Sequence, residues 1–297
     1  MTGSSGAILP DLQPGSIWLV GAGPGDPGLL SWLAVHALRT ADAVVYDPAI
    51  EPEILATIGD DCFRQAAGPD RGGAIRRCIK LAQDGWRVVR LVSGDPFERR
   101  DAVAEATAIA EAELPFRVVP AVSPPIAGLS YAGVPLTHRD TNSAVCLLDL
   151  TQEGGDGDEL PPQLDLPALA QGSPVLVLSL RRAQLARAAE RLLEAGRPPE
   201  TPALLVTRPA SQGQTVHDTS LGACARNGGG GTGNPGEIAP LPAAPAAAGT
   251  VVLAIGASVE LRRRLAVANA ASSAEPQDRT RRNGGGALLH SMVGLAG

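Results

Sequence analysis

The sequence predicts an α/β protein of two α/β domains, and three observations carry that prediction. Short apolar runs alternate with segments of helical spacing, the pattern of a parallel sheet with helices on its faces. Clusters of Gly, Pro, Asp and Ser stand directly after those runs, where the ligand-binding turns of such sheets lie. The alternation pauses between Thr137 and Ser143 and then restarts, so the 297 residues divide into two units of ordinary domain size.

The elements follow in order. Residues 16–21 (SIWLVG) form a short apolar run that stops at glycine, a buried strand by pattern. Residues 27–41 have helical spacing, with Leu30, Leu33, Ala34, Ala37 and Leu38 on one face. A second strand is expected at 43–46, a helix at 73–84 and a third strand at 86–92 (WRVVRLV). An Ala/Glu helix at 101–113, a fourth strand at 116–119 and a short helix at 124–132 complete the first half. In the second half, strands are expected at 144–150, 174–180, 203–207 and 250–256, with helices at 182–195 and 258–268. The domains are therefore set at 16–139 and 140–269. An acidic Gly-rich loop spans 152–160, and a Gly/Pro/Ala-rich insert at 226–249 is not expected to pack. The ends, 1–15 and 270–297, read as disordered tails.

Composition narrows the function classes. Hydrophobic residues make up 44% but aromatics only 3%, so the core must consist mostly of Ala, Val, Leu and Ile. A net charge of −6 argues against binding nucleic acid without regard to sequence, which needs a basic face. The four cysteines are widely and irregularly spaced, so neither a metal site nor a disulfide framework is expected. No signal-peptide pattern and no membrane-length apolar run is present, and the reading is a soluble, cytoplasmic protein.

Four turns carry the chemistry. The first, Gly21-Ala22-Gly23-Pro24-Gly25-Asp26-Pro27, follows the first strand. It is not a Walker loop, because no Gly-Lys-Ser/Thr follows, and its prolines make it a poor dinucleotide fingerprint. By glycine spacing alone it fits a ligand loop or a plain tight turn. The second is Ser93-Gly94-Asp95-Pro96-Phe97, after the third strand; the third is Val119-Pro120-Ala121-Val122-Ser123-Pro124-Pro125, after the fourth. The last is the segment 131–140, YAGVPLTHRD.

Taken in order, with Val45-Tyr46-Asp47 between the first and second, these segments resemble the tetrapyrrole methylase family. Its members run from VGAGPGDP through YD and GGDPF to VVPG and AG(I/V)PLTHR. The likeness covers about residues 16–268, and YAGVPLTHRD is similar to the uroporphyrinogen III methyltransferase branch. The resemblance implies two α/β domains with a cleft between them that holds S-adenosylmethionine, and a homodimer. It implies transfer of methyl groups to C2 and C7 of uroporphyrinogen III, giving precorrin-2 for sirohaem and cobalamin. Carried over by motif, Pro24, Ser93, Gly94, Asp95, Ser123, Pro124 and Leu180 are the expected cofactor contacts. Asp47 is the expected proton acceptor, and Arg139 the expected partner of a substrate carboxylate. On the residues alone, Asp95 also fits a helix cap, Asp47 before Pro48 also fits a turn former, and Arg139 also fits a surface charge.

The chain departs from the family at defined positions. Ser93 replaces the first glycine of GGDPF, Glu98-Arg99-Arg100-Asp101 replaces a GRG segment, and the family's VGK lysine falls on Pro69. Ala121 stands for the glycine of VVPG, Leu180 for a methionine, and Pro209 for a glycine. Those replacements fit either of two outcomes: an active C-methyltransferase, or a non-catalytic or altered-substrate paralogue of the same fold.

Overall fold

The computed structural model describes residues 9–68, 70–98, 100–151, 165–227 and 250–265. Several segments of interest lie outside the described residues: the tail at 1–8, Pro69, Arg99, the acidic loop, positions 228–249 of the insert, and everything from 266 onward.

The first sheet contains β1 (Ile17–Gly21), β2 (Ala43–Tyr46), β3 (Phe63–Ala66), β4 (Val88–Val92) and β5 (Phe116–Val119). Its order is β3-β2-β4-β1-β5, and every pair is parallel. Between the strands run α1 (Trp32–Thr40), α2 (Pro52–Leu55), α3 (Arg71–Gln83) and α4 (Arg100–Glu111). Alternate strand residues serve opposite faces, as the pleat requires. Trp18, Val20, Val44 and Leu91 pack with Ala34, Ala37 and Leu38 of α1. Ile17, Val45 and Val88 pack on the other side with Ile75, Cys78 and Leu81 of α3. The all-parallel order places the ends of β1, β2, β4 and β5, and the turns after them, on one rim.

Local chemistry explains where the elements differ from expectation. The helix expected over 27–41 is two pieces, a 3-10 turn at Pro27–Leu29 and then α1. Ser31 breaks it: its backbone is extended and its hydroxyl accepts the Ala34 N–H at 3.1 Å, an N-cap in mid-pattern. The third strand begins at Val88, because Gly85 turns the chain with φ +87. Strand β3 escaped the sequence reading because FRQA is an edge strand exposed at all four positions. Residues 9–15, expected within the tail, are tied down. Leu12 is buried in the α1 layer, and the Gly15 N–H donates to the Trp86 carbonyl at 3.1 Å.

The second sheet contains β6 (Cys146–Asp149), β7 (Val175–Arg181), β8 (Pro202–Thr207), β9 (Thr215–Ser220) and β10 (Thr250–Gly256). Its order is β6-β7-β10-β8-β9; β6 and β7 are parallel and the remaining pairs antiparallel. The associated helices are α5 (Pro124–Tyr131), α6 (Leu166–Gly172), α7 (Leu185–Glu194), α8 (Leu221–Asn227) and α9 (Ser258–Leu265). One face buries Leu176, Leu178, Leu180 and Leu253 against Leu185, Ala188 and Leu192 of α7. The other buries Val177, Leu204, Val206 and Val252 against Leu129 of α5 and Val259 of α9. Helix α5, counted with the first domain in the sequence reading, thus packs on the second sheet. The unexpected β9 (TVHDTS) is a polar edge strand, and α8 takes up Arg226 and Asn227 at the start of the insert. Among the described residues, no helix is long and apolar enough to cross a membrane.

Contact between α5 and the second domain depends on Gly128. A Cβ there would fall inside contact distance of Pro209 Cβ and 3.0 Å from Pro209 Cα. Gly128→Ala is therefore expected to destabilise the fold by about 1–3 kcal/mol through overpacking, read as a lower midpoint in urea unfolding; an unchanged midpoint contradicts the packing.

Candidate functional site

The motif turns meet at the end of β1. Gly21 has no side chain, and a Cβ built on it would stand 2.5 Å from Ala121 Cβ, 2.7 Å from the Gly94 carbonyl and 2.9 Å from Pro96 Cδ. The turns after β1, β4 and β5 therefore close on one another only around a glycine. Beyond it, Gly23 and Gly94 exchange hydrogen bonds, each N–H donating to the other's carbonyl, at 3.2 and 3.0 Å. Both have positive φ, +70 and +73, which a glycine adopts without strain.

Asp95 laces the second turn to the third. One carboxylate oxygen accepts the Phe97 N–H at 2.8 Å, and the other accepts the Ala121 N–H at 2.8 Å. Its role is that tie and its own turn, since α4 starts only at Arg100. Ser123 occupies the N-cap position of α5 but makes no capping bond. Its hydroxyl is buried and faces the Glu98 carboxylate. Pro124 opens α5 and faces Gly94, 3.3 Å from where a Cβ would be. Desolvation raises the Glu98 carboxyl above its ordinary value, the Ser123 hydroxyl opposes the rise, and Asp95 and Asp149 add to it.

Asp47 directly follows β2. Its Oδ1 accepts from the Arg90 guanidinium at 2.6 Å and its Oδ2 from the Ser93 N–H at 3.1 Å. Arg90 also donates to Glu105 Oε1, through Nε at 3.2 Å and Nη2 at 2.9 Å. A carboxylate gripped from two sides is more than a turn former, although its carbonyl also accepts the Ile50 N–H at 3.1 Å.

The opposite wall comes from the second domain. Residues 208–214 form a tight loop in which Arg208 and Ala210 have positive φ, +47 and +51. Such conformations cost about 1–3 kcal/mol each and concentrate at functional sites. Gln214 holds the loop, accepting from the Ala210 N–H at 2.5 Å and donating to the Gly128 carbonyl at 3.2 Å. Ser211 lies against Gly25, and Arg208 pairs with Glu51 at 3.5 Å. The Tyr131 hydroxyl donates to Asp26 at 2.8 Å, tying α5 to the first turn. Pro24 lines a cavity of about 30 Å³ with Ala22, Gly25, Ile50, Glu51 and Ser93. That volume suits a water, not a nucleoside. All of the cavity's lining belongs to the first domain.

Pro24, Ser93, Gly94, Asp95, Ser123, Pro124 and Asp47 are thus assembled on one rim. Leu180 is not. Its side chain is fully buried beneath α7, because strand alternation turns it to the helical face of the second sheet. The cofactor contact expected of it finds no side-chain surface there. Arg139 is exposed in the turn at 138–142 and makes no hydrogen bond or ion pair among the described residues. The sequence reading missed Arg90 and Glu105, held Tyr131 only as part of the YAGVPLTHRD motif, and touched the 208–214 loop only through Pro209. Arg90 had a signal, a charge in the middle of the apolar run WRVVRLV.

Comparison with known proteins identifies the chain's relatives. Residues 16–225 match the model of the Tetrapyrrole (Corrin/Porphyrin) Methylases. A uroporphyrinogen-III C-methyltransferase of Sinorhizobium sp is 39% identical over 223 residues, 72% of this chain and 78% of the relative. The siroheme synthase of Nitrosomonas eutropha is 32% identical over 87% of this chain, yet the match spans only 52% of that longer protein. A crystal structure of the Thermus thermophilus uroporphyrin-III C-methyl transferase complexed with S-adenyl homocysteine aligns with a TM-score of 0.67 and 28% identity. The alignment covers 83% of this chain and 99% of that one. A cobalt precorrin-4 methyltransferase, 20% identical, shares the fold with a TM-score of 0.68.

The tie between α5 and the first turn makes a pH-dependent prediction. The hydrogen bond to Asp26, assisted by desolvation, raises the Tyr131 phenol above its ordinary value of 10.0. The folded state favours the protonated phenol, so this contribution is complete below pH 10 and is lost as pH rises through the folded value. Tyr131→Phe is expected to cost about 1 kcal/mol at neutral pH, with the gap from the parent narrowing above pH 10. Urea titrations of both proteins across that range measure it.

Proposed function

The chain belongs to the tetrapyrrole (corrin/porphyrin) methylases, and on that premise we propose that it is an S-adenosylmethionine-dependent C-methyltransferase. Its substrate in this reading is uroporphyrinogen III, methylated at C2 and C7 to give precorrin-2 for sirohaem or cobalamin. The observation that carries the proposal is the convergence of the three motif turns around Gly21, with Asp47 on the same rim. The family reading also carries a homodimeric assembly, which light scattering measures.

The residues present fit the methyl donor. The rim offers backbone groups of the first, second and third turns, and Gly94 permits close approach. The buried Ser123 hydroxyl, set beside Glu98, adds a polar group to the same surface. When bound, S-adenosylmethionine supplies an electrophilic methyl group carried on a sulfonium. The turns and Ser123 orient it, and parting of the 208–214 loop from Gly25 admits it. Closing again excludes water. Alignment is the larger part of catalysis of such a transfer. Asp47 then accepts the proton that the macrocycle sheds beside the methylated carbon, which itself carries no hydrogen, and Arg139 pairs with a carboxylate at the substrate's edge.

Two measurements test this. Calorimetry with S-adenosylhomocysteine is expected to show binding, and labelled methyl groups are expected to enter uroporphyrinogen III. Asp47→Asn is expected to keep the binding and lower turnover by about 10²–10⁴-fold, the usual contribution of general base catalysis. Absence of binding at millimolar S-adenosylhomocysteine overturns the proposal.

A further inference from the structure

We propose that Arg90 is a positioning residue for Asp47, with Glu105 as the brace that holds Arg90 in place. The inference rests on the reading of Asp47 as proton acceptor and goes beyond it by naming what orients its carboxylate.

The observation is a cation where the fold asks for an apolar side chain. All five residues of β4 are buried, and Arg90 is its middle member. Val88 on the same face meets the α3 layer through apolar contact alone. An arginine in that position is desolvated at a cost that only close ionic and hydrogen-bond partners offset. Arg90 has such partners on three sides. One Nη1 bond goes to the Leu91 carbonyl at 2.9 Å, two bonds go to Glu105 of α4, and Nη2 reaches Asp47 at 2.6 Å. The side chains of Arg90, Glu105 and Asp47 are only 6, 11 and 15% exposed.

The geometry separates positioning from simple cross-linking. Arg90 takes Oδ1 of Asp47, while the Ser93 N–H takes Oδ2. Two points on or just after one strand thus fix the plane of the carboxylate. Glu105 takes the guanidinium through Nε and Nη2 together, which sets the direction of the bond to Asp47. Lysine has no planar fork and cannot reproduce that direction. Cys78 of α3 also faces Arg90 and Glu105, but burial pushes its thiol up to about 12, so it adds no charge. A carboxylate free to rotate loses alignment with the departing proton, and an error of about 1 Å costs up to about a hundredfold in rate.

The test is steady-state kinetics with uroporphyrinogen III, together with S-adenosylhomocysteine calorimetry. The proteins are the parent, Arg90→Met, Arg90→Lys, Glu105→Gln, Asp47→Asn and the Asp47→Asn/Arg90→Met pair. Arg90→Met is expected to lower kcat by about ten- to a hundredfold, with KM and the S-adenosylhomocysteine Kd nearly unchanged. Arg90→Lys is expected to recover part of the loss, and Glu105→Gln to show a smaller loss of the same kind. In the Asp47→Asn background, Arg90→Met is expected to lower the residual turnover no further, because the two residues act as one unit. Should Arg90→Met fail to fold, Arg90→Lys and Glu105→Gln decide the matter. Parental kcat in both of those, beside an inert Asp47→Asn, overturns the positioning role and leaves Asp47 standing. Full turnover in Asp47→Asn overturns the proton-acceptor reading itself, and the role of Arg90 with it. Losses that appear in Kd in place of kcat assign Arg90 to structure alone.

Discussion

At the end of β1 a hydrogen atom stands where any other residue places a β-carbon, and the site is built around that difference. Gly21 lets Ala121, the Gly94 carbonyl and Pro96 approach to within 3 Å of one point. Three turns from strands distant in sequence become a single surface. Once they touch, the Gly23–Gly94 bridge and the Asp95–Ala121 bond can form, since both need the turns already in register. Parallel pairing of β4, β1 and β5 brings the turns to the same edge, and the missing Cβ lets them close.

The same contacts explain why replaced family positions need not end function. Ser93 and Ala121 stand where the family has glycine, and each contributes a backbone N–H: Ser93 to Asp47 and Ala121 to Asp95. A backbone donor survives the addition of a side chain when the φ is negative, and neither residue has positive φ. Gly94, which does need positive φ, is retained. Side chains thus stand at Ser93 and Ala121, where φ is not positive, and glycine stands at Gly94, where it is.

Charge is handled with equal economy. Arg90, Asp47 and Glu105 place a buried ionic cluster beneath the rim. The second domain answers across the cleft with polar links, Tyr131 to Asp26 and Arg208 to Glu51. One group of charges is buried and rigid. The other is more exposed and screened, so it yields more readily. Two walls joined across the cleft only by the weaker set suit a cleft that opens for its ligand.

The sequence by itself determined the alternation of buried strands and helices, the two-domain division and the motif turns. Apolar runs such as SIWLVG and TVVLAIG can only be buried, and glycine, proline and aspartate mark turns through local backbone chemistry. The edge strands β3 and β9 stayed hidden because an exposed or polar edge has no apolar pattern to read. Only the tertiary structure decided which face a side chain serves. Pairing and pleat sent Leu180 into the α7 layer, away from the rim, and turned Arg90 towards Asp47 and Glu105. Likewise, α5 lies beside the first domain's turns in sequence, yet packing carried it onto the second sheet. These outcomes depend on contacts between distant residues, and a one-dimensional pattern carries no record of them.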